Sequence, residues 1–226
     1  DGGRALETCI LNILEDITCP PIALSVLPIH HTYELTIGHL GMLCRGITIC
    51  INDRLENIVS NINTFKPSII LVVPTIAEAF HKKIKDGWES PENRRQVAIA
   101  VKLHKMLKRF NIDIRRKLYK SVFDKFGGNL SSIVVGGAAL RLEVAQTFDM
   151  LGLHIYQGYG LTECAPLVAT NYPKANRLGS VGKPISCMNV RIEDGEIIVK
   201  GDCVMLGYYK NPEATAEAID EDGWLH

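Results

Sequence analysis

Short, almost uninterrupted apolar runs alternate with helix-length amphipathic segments, and this alternation restricts the fold of the chain more than any other feature of its sequence. The runs cover residues 22–27, 47–51, 68–73, 132–135 and 154–156. Runs of this kind read as strands buried on both faces of a sheet. Between them, helical spacing marks residues 33–44, residues 54–63 behind Asn52 or Asp53 as N-cap, residues 75–85 opened by Pro74, and residues 141–151. A further helical period over residues 5–16, carried by Leu6, Cys9, Ile10, Ile13 and Leu14, stops at Pro20-Pro21. Strand and helix in strict alternation predict an α/β fold: a doubly wound, mostly parallel sheet with helices on both faces. From residue 173 the texture changes. Residues 190–192 and 196–200 flank Asp194-Gly195, a hairpin signal, and helical spacing returns only at 212–219. The expected organisation is an α/β subdomain over residues 1–172 and the beginning of a smaller β-rich subdomain over residues 173–226.

Composition removes several function classes. A hydrophobic share of 46% in 226 residues builds a proper core, and a formal net charge of zero gives no ground for nucleic acid as a partner. Seven cysteines with no CxxC pair suit reduced, mostly buried thiols in a cytosolic protein better than a disulfide framework or a zinc site. No apolar stretch reaches membrane-spanning length. Residues 82–128 read as an insertion of two helices, with one apolar stripe of Ile99, Leu103, Met106, Leu107 and Phe110 and another of Ile114, Leu118 and Val122. Residues 102–120 hold eight basic residues against one acid, Asp113. Such a surface suits peripheral contact with anionic membrane; the plainer reading is a solvated helical hairpin. The chain starts within a helical pattern and stops at Trp224-Leu225-His226 without a terminating signal, which reads as an excised piece.

The strongest chemical signal is Gly158-Tyr159-Gly160-Leu161-Thr162-Glu163. It follows the run at 154–156 and reads as a loop at a strand's carboxyl end, where open parallel sheets bind ligands. Glycines let backbone approach a ligand, Tyr159 offers a flat face to a base, Thr162 a hydroxyl to a phosphate, and Glu163 a hard oxygen to Mg2+. Alone, the hexapeptide is also compatible with an ordinary glycine-containing turn. His30-His31 and Gly137-Ala138 have similar plain readings, as exposed residues and a tight turn after a strand.

Taken in order, Leu27-Pro28-Ile29-His30-His31, Val135-Gly136-Gly137-Ala138-Ala139-Leu140, Gln157 with the hexapeptide after it, and Gly207-Tyr208-Tyr209-Lys210-Asn211-Pro212-Glu213-Ala214-Thr215 resemble motifs of the adenylate-forming (AMP-binding) superfamily. That group includes acyl-CoA synthetases, firefly luciferase and peptide-synthetase adenylation domains. The insertion, with Arg115-Arg116-Lys117-Leu118 and Phe126-Gly127-Gly128-Asn129-Leu130, resembles that of long-chain fatty acyl-CoA ligases. The resemblance implies an ATP- and Mg2+-dependent enzyme that activates a fatty carboxylate as acyl-AMP and passes it to coenzyme A. It implies that Thr162 bonds the α-phosphate, Glu163 holds the metal and Tyr159 stacks on adenine. Gly137, Ala138, Gln157, Gly158 and Gly160 would complete the nucleotide pocket, and His31 would stand near the reacting carboxylate or the thiol channel. It further implies a Gly/Ser/Thr-rich phosphate loop, a ribose-binding acid and a C-terminal domain with a catalytic lysine, none of which these residues contain. These residues by themselves are therefore expected to be inactive. The alternatives are an enzyme for short-chain, aromatic or carrier-linked acids, and a non-catalytic nucleotide-binding scaffold.

Overall fold

The computed structural model describes residues 21–88, 99, 106 and 113–226. Its sheet has seven strands in the order β2-β1-β3-β4-β5-β6-β7. Strands β1 (Ile22–Ser25), β2 (Thr48–Ile51), β3 (Ile69–Val72), β4 (Ser132–Val135) and β5 (His154–Gly160) are mutually parallel. Helices carry the crossovers: α1 (Glu34–Gly41, running on through Met42–Cys44), α2 (Ile58–Phe65), α3 (Pro74–Trp88), α4 (Arg115–Leu118), α5 (Lys120–Lys125) and α6 (Leu142–Leu151). Parallel neighbours need such crossovers, which is why the alternation in the sequence translates directly into this sheet.

Period two in the strands divides their side chains between two cores. Leu24, Ile70, Val72, Ile133, Val135 and Ile155 pack beneath α2, α3, α5 and α6 through Ile62, Phe80, Phe123, Val144 and Phe148. Ala23, Ile69, Leu71, Val134 and Tyr156 point the other way, against Tyr33, Ile37 and Met42 of the α1 segment and against Val168, Met188 and Val199. All four residues of β3 are at most 1% exposed. At about 1.5–3 kcal/mol of transfer free energy per fully buried aliphatic side chain, as an upper estimate, burial on both sides is what commits this segment to a central strand.

Three features differ from the sequence expectation. Residues 158–160 are not loop: β5 continues through them and pairs antiparallel with β6 (Leu167–Thr170), which pairs antiparallel with β7 (Lys183–Pro184). The parallel part of β5 ends at Gln157, so the strand changes partner halfway along. Second, α1 is π-helical over Glu34–Gly41. The buried Glu34 carboxyl lies over Gly38, where a β-carbon would come within 2.9 Å of it. Third, of the stripe Ile99, Leu103, Met106, Leu107 and Phe110, only Ile99 and Met106 are described, and both are exposed. The rest of that stripe, the helix expected at 5–16 and most of the basic run at 102–120 lie outside the described residues. Leu118 and Val122 of the second stripe do pack on the core.

A separate two-stranded sheet follows, β8 (Met188–Glu193) with β9 (Glu196–Gly201). Asp194 and Gly195 both take positive φ, 49° and 88°, the geometry of a two-residue hairpin turn with the strands' own twist. The last helix, α7 (Pro212–Ala218), starts behind Asn211, whose side chain accepts a hydrogen bond from Ala214 N–H at 3.2 Å. Among the described residues no helix is long and apolar enough to cross a membrane, and the described cysteines are free thiols.

Candidate active site

Because both faces of the sheet are covered, the open ground is the carboxyl edge of the parallel strands. A cavity of about 170 Å³ lies there. The chain leaving β1 supplies His31, Thr32 and Tyr33, the chain leaving β4 supplies Gly136 and Gly137, and β5 supplies Gly158, Tyr159 and Gly160. Leu161, Thr162 and Pro166 line the same space, so residues more than a hundred positions apart meet at one edge.

Local backbone chemistry explains why small residues stand here. Gly137 has φ +84°, a region that L side chains rarely adopt, although a β-carbon would meet only Val73 Cγ1 at 3.5 Å. Conformation, not crowding, selects glycine there. Crowding selects it at Gly136, where a β-carbon would lie 3.1 to 3.3 Å from the Tyr33 ring, and at Gly160, where it would collide with the Pro166 carbonyl. That same carbonyl accepts Leu161 N–H at 2.9 Å and closes the turn.

Thr162 and Glu163 begin a single 3-10 turn, Thr162–Cys164, whose threonine is exposed on the cavity wall. Glu163 is not part of that wall. It sits beside Thr162, and its Oε1 accepts a hydrogen bond from Tyr208 Oη–H at 2.9 Å. This bond, more than desolvation, raises the Tyr208 phenol above its ordinary range and keeps it a donor. The Glu163 carbonyl accepts Met205 N–H at 2.7 Å, so the chain after β9 straps the turn from outside. Tyr208 in turn is fixed at its N–H by Thr215 Oγ1, 2.9 Å away, and the Thr215 hydroxyl donates to the Asn211 carbonyl at 2.8 Å. Gly207 permits this packing, since a β-carbon would fall 2.7 Å from Thr215 Cγ2.

Of the residues singled out from sequence, His31, Gly137, Gly158, Tyr159, Gly160 and Thr162 share the cavity. Three do not line it. Ala138 is exposed beside Gly137, Glu163 turns to Tyr208, and Gln157 is buried in the sheet, its carbonyl accepting Asn171 N–H at 2.9 Å. His31 Nδ1 accepts Tyr33 N–H at 3.2 Å, so in the neutral ring the proton sits on Nε2 and that nitrogen is a donor.

Sequence reasoning missed Tyr208, Thr32, Tyr33 and Glu34. Thr32 Oγ1, Tyr33 Oη and both carboxyl oxygens of Glu34 are buried without a hydrogen-bond partner. Burial first, then the neighbouring Glu34, drives the Tyr33 phenol far above its usual range. Burial also pushes Glu34 up, and His39 Nδ1 stands 3.9 Å from Glu34 Oε1. A signal for Tyr208 was available, since it lies inside a motif already singled out. None existed for Glu34, because a glutamate in a helical pattern is ordinarily a surface residue.

Comparison with known proteins bears on this arrangement. Residues 7–209 match the family described as AMP-binding enzyme. Long-chain-fatty-acid–CoA ligase 5 of Rattus norvegicus is 29% identical over 238 residues, covering 96% of this chain but 35% of the relative. Long-chain-fatty-acid–CoA ligase 1 of Homo sapiens is 31% identical, covering 92% of this chain and 32% of the relative. The chain thus spans about a third of the length of these relatives. Among solved structures, O-succinylbenzoate coenzyme A synthetase from Bacillus subtilis in complex with AMP superposes with a TM-score of 0.65 at 22% identity, over 99% of this chain and 41% of that one. A malonyl-CoA ligase with methylmalonyl-CoA and AMP bound gives 0.66 at 23%, over 99% and 44%. At such identities the structural likeness speaks for the fold, a mostly parallel sheet followed by a small antiparallel hairpin, while the match over residues 7–209 speaks for descent. The chain belongs to the AMP-binding enzyme family.

Proposed function

We propose that this chain forms the nucleotide-binding edge of an ATP- and Mg2+-dependent acid–thiol ligase, a long-chain fatty acid–CoA ligase of the cytoplasm. The observation that carries the reading is the meeting of His31, Gly137, Tyr159 and Thr162 around one cavity at the carboxyl edge of the sheet. In the first step a carboxylate oxygen attacks the α-phosphorus of ATP and pyrophosphate leaves. In the second, the sulfur of coenzyme A attacks the acyl carbon and AMP leaves. Neither step needs a covalent bond to the protein. The task is to hold nucleophile and leaving group in line and to offset charge on phosphate oxygens.

Tyr159 supplies a flat face for adenine, and the bare backbone at Gly137 and Gly160 lets the nucleotide lie close. Gly158 lines the same space, and Ala138 and Gln157 complete the nucleotide pocket from the positions next to Gly137 and Gly158. The Thr162 hydroxyl donates to an α-phosphate oxygen. His31 Nε2–H donates toward the incoming carboxylate, which fixes the attacking oxygen. Glu163, its direction set by Tyr208, would hold Mg2+, which when bound neutralises polyphosphate charge. The donor suits that ion: Glu163 is a half-exposed carboxylate with hard oxygens, next to the exposed Thr162. One carboxylate together with substrate phosphates and water is a normal Mg2+ environment. The C-terminal domain of the same polypeptide and the phosphate loop are assigned to the remainder of the protein.

Two relatives named long-chain ligases favour a long acyl chain, while a succinylbenzoate and a malonyl ligase share the fold. The test is pyrophosphate release by the purified full-length protein with ATP, Mg2+ and a panel of acids from acetate to palmitate. Preference for palmitate is expected. Preference for acetate through octanoate, or for aromatic acids, assigns a different acid; nucleotide binding without pyrophosphate release with any acid marks a scaffold.

A further inference from the structure

Behind the Thr162–Cys164 turn lies a group of thiols that the ligase chemistry does not use. Cys187 immediately precedes β8 and Cys203 follows β9, so the two flank the Met188↔Gly201 pair at the open end of the hairpin. Their sulfurs are 3.4 Å apart, and both residues are half-buried. Gly201 makes the approach possible, since a β-carbon there would collide with the Cys187 carbonyl. We propose that Cys187 and Cys203 form a reversible dithiol–disulfide pair, a modification site for peroxide that staples the open end of the hairpin.

A disulfide needs the sulfurs at about 2.05 Å, so closure from 3.4 Å brings them about 1.4 Å nearer. Burial, followed by its contact with Cys203, pushes the Cys187 thiol up to about 11, and either of the two touching thiols can donate to the other. The same bridge results whichever sulfur meets the oxidant first; Cys203 serves as the case. Its lone pair attacks one peroxide oxygen, the O–O bond breaks, and water leaves behind a sulfenic acid. The Cys187 sulfur attacks that sulfenic sulfur, the S–OH bond breaks, and a second water departs. In sum, two thiols and one hydrogen peroxide give one disulfide and two waters. Cys164, fully buried with its thiol raised to about 12, is set aside as a reactant. The bridge acts on a short segment: Val204 N–H bonds the Gly201 carbonyl at 3.1 Å, and Met205 N–H, two residues past Cys203, bonds the Glu163 carbonyl. Oxidation therefore tightens the strap that holds the Glu163 turn.

The experiment is mass-spectrometric and independent of any ligase activity. Reduced protein is treated with hydrogen peroxide, remaining thiols are alkylated, and peptides are mapped before and after dithiothreitol. The expected result is loss of two thiols into a Cys187–Cys203 linked peptide. Dithiothreitol should reverse it, Cys187→Ser and Cys203→Ser should each abolish it, and Cys44→Ser should leave it unchanged. Amide exchange over residues 201–205 should slow in the oxidised form. A different pairing, sulfinic acid at Cys203 without a cross-link, or no thiol loss would overturn the proposal.

Discussion

Glu163 takes its hydrogen bond from a tyrosine 45 residues further along the chain, so the direction of its carboxylate depends on a segment outside its own turn. Glu163→Gln keeps the shape and the acceptor for Tyr208 while removing the charge. Adenylation, read as pyrophosphate release, should fall by about 10²-fold, the scale seen when one electrostatic partner of a transition state is deleted. Thermal stability should stay within about 0.5 kcal/mol, as for other substitutions in open turns. Tyr208→Phe keeps the charge and releases its orientation, so its rate should lie between wild type and Glu163→Gln. A wild-type rate in Glu163→Gln would remove the metal assignment. Glu34 gives a second residue-scale prediction, in pH. Its carboxyl is fully buried and raised by desolvation, so the native state holds its proton to higher pH than the unfolded chain does. The sign follows: native binds more protons than unfolded, so this group's contribution falls as pH rises from the ordinary carboxylate range, about 4.3, through the raised native value. Glu34→Gln should flatten that part of the stability curve and match or exceed wild type above it. Parallel curves for the two proteins in thermal melts at stepped pH would contradict the assignment.

At the scale of elements, the critical joint is β5, which pairs parallel with β4 through Gln157 and antiparallel with β6 from Gly158 onward. The register shifts between Tyr159 and Gly160, where the Pro166 carbonyl comes close enough to exclude a β-carbon. Gly160→Ala should therefore cost about 1–3 kcal/mol, the range for forcing a methyl into a packed site, seen as a lower urea midpoint with an unchanged slope. Two residues earlier, a β-carbon on Gly158 would come no nearer than 3.3 Å, to the movable end of the Leu167 side chain, a tight contact but not a collision, so Gly158→Ala should cost less. The same joint marks the limit of what could be read from sequence. Strand β4 was legible to the residue, because burial on both faces leaves an unbroken apolar run. The hairpin was legible because Asp194-Gly195 is a turn signal that acts locally. Strand β6 was not, although all four of its residues are buried, because Pro166 before it and two glycines in its partner read as loop. Glycine in β5 is there for a close approach by β6, and the identity of the approaching chain is a tertiary fact. His31, Gly137, Gly158, Tyr159, Gly160 and Thr162 of the cavity lining were singled out through their motifs, whereas Thr32, Tyr33, Glu34 and the Tyr208–Glu163 bond depend on distant packing.

At the scale of the whole molecule, the described residues cover both faces of the sheet, and the proposed chemistry falls at its carboxyl edge. Ile70 and Leu71 test that directly, since they are neighbours in β3, are equally buried, and point into opposite cores. Ile70 faces the helical layer of α2, α3 and α6; Leu71 faces the layer formed by the α1 segment and by residues of β6, β8 and β9. If both layers are tightly packed, Ile70→Ala and Leu71→Ala should each cost about 2–5 kcal/mol, the range for truncating a buried aliphatic side chain. A sheet with one wetted face would instead make one of the two cheap, because an exposed aliphatic has little transfer free energy to lose. The substitutions share a strand and should not be summed in a double variant. Equal and large losses in urea unfolding would mean that neither face can admit a nucleotide, leaving the carboxyl edge, with His31, Gly137, Tyr159 and Thr162, as the place where one can bind. A loss of under about 1 kcal/mol for Leu71→Ala would mean that the second layer sits loosely on the sheet, and the cavity whose back wall is Tyr33, Ile37 and Val134 would lose its support.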